Sequence, residues 1–206
     1  MKNYCFIGLV ALFFISCTTK KNEDYTKEIK LFQYELNTQF ADAKESPLTE
    51  QDLITFKGLY FFEIDNKYRI EADFELTPDT KIFEMKTTTE RLPLYRKYGI
   101  ARFTLDGKNF ELSVFQNQQL INDPEYFNHL FFPYRDSSNG NESYGGGRYI
   151  DLEIPTDGIN TIVIDFNKSY NPYCAYNSKY SCPIPPKENN LGIKILAGVK
   201  AYKDHH

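Results

Sequence analysis

From Tyr68 to Leu76 the chain alternates without a break. Tyr68, Ile70, Ala72, Phe74 and Leu76 share one face of an extended strand, and Arg69, Glu71, Asp73 and Glu75 share the other. A period of two with a charge at every second position specifies an antiparallel strand with one wet face, because strands buried on both faces read as continuous apolar runs. The charges read most simply as a solvated face, with a cation site as the alternative. A strand of this kind needs neighbours that share its buried face.

Those neighbours follow at short intervals. Gly58–Asp65, Lys81–Thr87, Tyr98–Leu105, Phe110–Phe115, Tyr126–Pro133, Arg148–Ile154, Thr161–Phe166 and Leu191–Lys200 all carry apolar or alternating runs bounded by turn residues. Asp106-Gly107 marks a hairpin, since both positions tolerate a positive φ. The 16 Tyr and 17 Phe, with no Trp, suit pleated, half-buried surfaces. The expected fold is mainly β: an antiparallel sandwich or barrel of about nine strands, preceded by one amphipathic helix. That helix spans Tyr25 to Ala43, where Ile29, Phe32, Leu36 and Phe40 form a stripe, and Ser46-Pro47 ends it. Its polar face mixes Glu with Lys, which favours docking on the domain over lying on a membrane.

The first residues have a different character. Lys2, the apolar run Phe6–Ile15 and the step Phe14-Ile15-Ser16-Cys17 form a leader that resembles a bacterial lipobox. Residues 1–16 are expected to be a signal peptide, with Cys17 acylated, residues 17–24 a tether and residues 25–206 a single domain. An ordinary secretory signal with an incidental cysteine is the alternative. Ten apolar residues are too few to span a bilayer, which takes about 20. The protein is therefore expected in the bacterial cell envelope, with the membrane as a partner through its lipid. A net charge of −4 without a basic stripe excludes a general nucleic-acid binder.

With Cys5 in the leader and Cys17 lipidated, Cys174 and Cys182 remain. In an exported protein such a pair is expected to form a disulfide, contributing about 2.5 kcal/mol on the chain-entropy model. Two cysteines without two further nearby ligands do not suggest a metal site, and neither metal nor cofactor is expected.

Polar chemistry concentrates between Tyr134 and Asp151. Arg135, Asp136, Tyr144, Gly145, Gly146, Gly147 and Arg148 are the candidate ligand-binding residues. Three successive glycines can let backbone N–H groups converge on an anion, and Arg148 offers a planar fork for carboxylate, sulfate or phosphate. The competing reading makes the glycines a tight bend, with Arg148 paired to Asp136 or Asp151. No Lys-Ser/Thr follows, so this is not a nucleotide loop. Asp136, Glu142 and Asp151, with Tyr144 and Tyr149, are candidate acid–base groups for a hydrolase. Strand alternation puts Arg148, Ile150 and Leu152 on one face and Tyr149, Asp151 and Glu153 on the other. His129, inside Phe127-Asn128-His129-Leu130-Phe131, reads as a packed strand residue.

Three ordered motifs, Tyr144-Gly145-Gly146-Gly147-Arg148-Tyr149, Asn171-Pro172-Tyr173-Cys174-Ala175-Tyr176 and Cys182-Pro183-Ile184-Pro185-Pro186-Lys187-Glu188-Asn189, resemble an uncharacterised bacterial family, domain of unknown function 1684. The likeness runs from about Phe56 to the end and implies no catalytic residues. It implies that the glycine–arginine loop and the Cys-Pro segment belong to one architecture and meet in space, which adds Tyr176 to the ligand-binding set. The expected function is a membrane-anchored lipoprotein that binds a small polar or anionic ligand, a sugar or cell-envelope fragment. A hydrolase using the loop carboxylates and an envelope scaffold or partner-binding module are the alternatives.

Overall fold

The computed structural model describes residues 10–156 and 158–202, with side chains from residue 22 onward. Residues 1–9 of the expected leader, the Cys17 side chain and His205–His206 lie outside the described residues. The first helix, α1, is continuous over Val10–Ala41, so it begins before the stripe that predicts it and takes in the residues read as a tether. Among the described residues no helix is long and apolar enough to cross a membrane. A short helix that the sequence reading missed, α2 (Glu50–Thr55), follows; Thr49 caps it by accepting from the Asp52 N–H at 3.1 Å.

The rest is mainly β. Seven antiparallel strands are present among the described residues: β1 (Arg69–Leu76), β2 (Phe83–Glu84), β3 (Leu94–Leu105), β4 (Lys108–Asn117), β5 (His129–Tyr134), β6 (Arg148–Glu153) and β7 (Thr161–Asp165). They form one sheet in the order β6-β5-β4-β3-β1-β7, with β2 on β3, curled into a half-barrel. Asp106 (φ 49°) and Gly107 (φ 73°) make the expected two-residue hairpin between β3 and β4. The concave face carries the main core, including Ala72, Phe74, Leu112, Val114, Leu130, Phe132, Ile150 and Ile164. On the wet face Arg102 bridges Glu75 and Glu111, so those charges form a solvated ladder.

Two of the nine expected strands are absent as strands. Gly58–Asp65 and Leu191–Lys200 run beside each other but share a single bridge, Phe61 with Val199. Gly198 has φ 75° and presses against Ser169, where an added Cβ would lie 2.5 Å from the carbonyl oxygen. The carbonyls of Ile195 and Ala197, which a ladder would need, are spent on a buried arginine instead.

Candidate functional site

That arginine is Arg148. Its side chain is 0% exposed, and so is that of Asp136, whose Oδ2 it meets at 2.8 Å through Nη2. Nη2 also donates to the Ile195 carbonyl at 2.7 Å, and Nη1 donates to that of Ala197. The guanidinium lies 5.4 Å from the Tyr134 ring centroid and 5.8 Å from that of Phe62. Asp136 is equally committed: Oδ1 accepts from the N–H groups of Ser138 (2.7 Å) and Ile195 (3.2 Å). Of the two pairings open to Arg148, the structure contains the one with Asp136. The pair ties the loop after β5 to β6 and to the C-terminal segment, and both side chains are closed off from solvent.

The glycines serve the same closure. Only Gly147 of the three has a positive φ, 95°, and a Cβ there would lie 2.6 Å from the Tyr134 carbonyl oxygen and 2.8 Å from Pro185. The Gly147 N–H donates to Tyr144 O within the turn, and Arg135 donates to Gly145 O at 2.7 Å. A carbonyl directed at a cation is the opposite of an anion nest. Tyr176 is a core side chain, with its ring 4.7 Å from Phe40 and 4.8 Å from Tyr202.

The three loop carboxylates separate. Asp136 is buried with Arg148, Glu142 pairs at the surface with Lys194, and Asp151 faces another way altogether. The glycine loop and the Cys-Pro segment do meet: Gly147 abuts Pro185, Arg135 N–H donates to Asn189 O, and Tyr149 Oη donates to Pro183 O. The expected disulfide is not there. Cys174 and Cys182 are neighbouring free thiols, the Cys174 N–H donating to Cys182 Sγ at 3.1 Å. Sequence spacing places the two cysteines close together but does not orient their sulfurs. Here Cys174 lies in the 3-10 turn Tyr173–Ala175 and turns its N–H, rather than a bond, to its partner.

A cleft opens on the other face of β5 and β6. The register pairs Phe131 with Asp151 and Pro133 with Tyr149, so these odd-numbered residues turn away from the main core. The cleft measures about 630 Å³. Phe131 and Tyr149 form its floor, their rings 4.7 Å apart and at 74°. Tyr95 of β3 and Asn117 of β4 border the floor. α1 forms one wall through Phe32, Glu35, Leu36, Gln39 and Phe40. Another wall comes from Tyr170, Pro172 and Tyr173 and from Tyr180–Pro183, with Arg91 held to Ser181 through Oγ (3.2 Å) and O (2.7 Å).

Polar groups converge on Asp151. Its Oδ1 lies 2.8 Å from His129 Nε2 and accepts from Tyr170 Oη at 2.8 Å. With Nε2 donating to the carboxylate, a neutral His129 presents Nδ1 as an acceptor. The Asp151 side chain is 52% exposed and that of His129 25%, so solvent and solutes reach the pair. Burial pushes the Tyr149 and Tyr170 phenols well above their ordinary range, which keeps them neutral donors. Among the described residues no three His, Cys, Asp or Glu side chains gather at metal-binding distance. The sequence reading named Asp151 and Tyr149 only as acid–base candidates of the loop and placed His129 in packing. The usable signal was parity: 129, 131, 149 and 151 share the face opposite Leu130, Phe132, Ile150 and Leu152.

Residues 54–200 match the family described as protein of unknown function, DUF1684. No curated protein matches the chain. Among solved structures, an uncharacterized protein of Haloarcula marismortui, determined by solution NMR, is similar over 88% of this chain and 96% of its own, at 31% identity with a TM-score of 0.68. The α1 wall of the cleft precedes the residues matched to the family.

Proposed function

This chain belongs to the DUF1684 family of proteins of unknown function, and from that membership, which brings no activity with it, we propose that it is a lipid-anchored envelope protein that binds a sugar-sized polar ring in the aromatic cleft. The observation that carries this reading is the floor of Phe131 and Tyr149 beside an Asp151 carboxylate held by His129 and Tyr170. A pyranose has apolar C–H faces and a polar hydroxyl edge. Aromatic faces cover the first, and Asp151, Asn117, Gln39 and Arg91 supply acceptors and donors for the second. About 630 Å³ falls inside the ordinary range for small-molecule sites, roughly 300–1,000 Å³. On this reading the ligand site is the cleft rather than the glycine loop, because Arg148 and Asp136 are buried against each other.

Acylation at Cys17 would hold the protein on a membrane, each buried methylene contributing about 0.8 kcal/mol. From Cys17 to Phe32 is about 22 Å of helix, so the helix that would carry the anchor also walls the cleft. A second reading, hydrolysis of the bound ligand, draws on the accessible His129–Asp151 pair, in which the imidazole would serve as general base.

Calorimetric titration with neutral monosaccharides and glycan fragments tests the binding. Saturable binding that is lost in Asp151→Ala and weakened in Arg91→Ala supports the cleft; no saturable binding to any sugar, or full binding in both variants, overturns it. Product formation from a bound glycan that stops in His129→Ala would favour the hydrolase. The anchor is tested separately by Cys17→Ala, which should leave the membrane fraction; a variant that stays there through a high-salt wash refutes lipid anchoring.

A further inference from the structure

Charge narrows the ligand of the cleft further than shape does. Two carboxylates line it, Asp151 beside the floor and the exposed Glu35 on the α1 wall, against one guanidinium, that of Arg91. Arg91 directs Nε and Nη2 at Ser181, so most of its fork is already committed to the protein. Amide donors are drawn off in the same way: Gln39 Nε2 donates to Tyr173 Oη at 3.1 Å, and Asn117 Nδ2 to Tyr95 Oη at 3.4 Å. The Tyr149 and Tyr170 hydroxyls donate to Pro183 O and to Asp151.

The acceptors stay open. His129 and Tyr170 both bond to Asp151 Oδ1, and among the described residues no side chain bonds to Oδ2. A neutral His129 adds Nδ1, and Glu35 adds a carboxylate at the rim. Spent donors and spare acceptors call for a ligand rich in donors, and an ammonium has three donors and no acceptor. The rings suit a cation as well. Phe131 stands directly across from Asp151 in the β5–β6 register, a spacing that puts the two Cβ atoms roughly 4.5–5.5 Å apart. Tyr149 and Tyr95 lie against Phe131, with ring centroids 4.7 Å and 5.7 Å from its own. A cation on Oδ2 is placed beside these rings, and aromatic faces attract cations out to about 6 Å. An anion there would face two carboxylates.

We propose that the ligand selected by this cleft is cationic: a hexose-sized ring carrying a free, unacylated amino group, whose ammonium sits between Asp151 Oδ2 and the Phe131 ring. The ring rests on the sugar reading above, and the ammonium rests on the charge and the open acceptors of the cleft. N-acetylation removes the charge and two of the three donors, so the cleft separates amino sugars from their N-acetyl counterparts.

Calorimetric titration of the full chain near neutral pH tests it, with glucosamine, glucose, N-acetylglucosamine and glucuronate as ligands and cyclohexylammonium as a ring-sized cation without hydroxyls. Glucosamine should bind about tenfold tighter than glucose or N-acetylglucosamine, the scale of a cation–π contact joined to a charge-assisted hydrogen bond, and glucuronate should bind most weakly. Asp151→Asn keeps the shape and removes the charge, and should bring the glucose-to-glucosamine ratio of Kd values close to one. Glu35→Gln, a change at an exposed position, should lower that ratio about twofold. Circular dichroism checks that Asp151→Asn is folded, and if that variant binds no sugar the Glu35→Gln ratio decides. Glucose bound as tightly as glucosamine, glucuronate bound tightest, or a ratio unchanged by the variants overturns the proposal and leaves the sugar reading standing. Saturable binding of cyclohexylammonium with no sugar bound upholds the selection for a cation and overturns the sugar reading. No binding of any of these probes overturns both.

Discussion

Removing Arg148 should destabilise the domain strongly, and two substitutions measure why. Arg148→Met leaves the Asp136 carboxylate buried, 0% exposed, with its cationic partner gone. Removing one member of a buried pair costs about 3–5 kcal/mol, because the remaining charge stays desolvated. Arg148→Lys is milder. An ammonium can reach Asp136 and one carbonyl, but it cannot occupy the Nη1 and Nη2 positions together, so either Ile195 O or Ala197 O loses its partner. One buried acceptor left unsatisfied costs about 1–3 kcal/mol. Urea denaturation at pH 7 should rank wild type above Lys above Met. At about 2–4 °C per kcal/mol for a chain of this size, the Met variant should melt roughly 6–20 °C lower. Ligand affinity in the cleft should change only as far as unfolding explains, since Arg148 and Asp151 face opposite sides of β6. A Met variant that loses under about 1 kcal/mol, the range of an exposed pair, would refute the burial argument. Equal losses in Met and Lys would refute the separate carbonyl contribution.

Two further predictions address the loop and the helix. Gly147→Ala combines a left-handed backbone with a Cβ 2.6 Å from Tyr134 O and should cost about 2–4 kcal/mol, whereas Gly145→Ala, whose Cβ meets only Gly140 at 3.7 Å, should be neutral within about 1 kcal/mol; chemical denaturation of both tests whether the first and last glycines of the triplet differ as their surroundings do. Burial raises the Asp165 carboxyl above its ordinary value, with the Asn167 and Tyr25 hydrogen bonds opposing the shift. The folded chain therefore binds this proton more tightly than the unfolded one. Its contribution to stability is greatest in acid and declines as pH rises from the ordinary carboxylate range through the raised folded value. The stability of wild type relative to Asp165→Asn should fall across that window in melts taken at a series of pH values, and a rise would refute the assignment.

Much of this fold is legible in one dimension because side-chain parity and turn chemistry are local. Alternation from Tyr68 to Phe74 places the core face of β1, Asp106-Gly107 places the hairpin, and the Ile29–Phe40 stripe places the docked face of α1. Parity along β6 also separates Arg148 from Asp151, which is why the pairing with Asp136 rather than Asp151 follows once β6 is regular. What parity does not contain is the partner of each backbone group. Leu191–Lys200 has the pattern of a strand, yet its carbonyls go to a guanidinium from 47 and 49 positions earlier, so the ladder never forms. The cleft is likewise a product of tertiary packing: His129, Asp151 and Tyr170 meet only because β5 pairs with β6 and the Tyr149–Tyr170 bridge closes over them. Each of those side chains, taken alone, satisfies the local pattern of a strand or a turn. Local pattern decides which way a residue points; long-range hydrogen bonding and burial decide what it meets there.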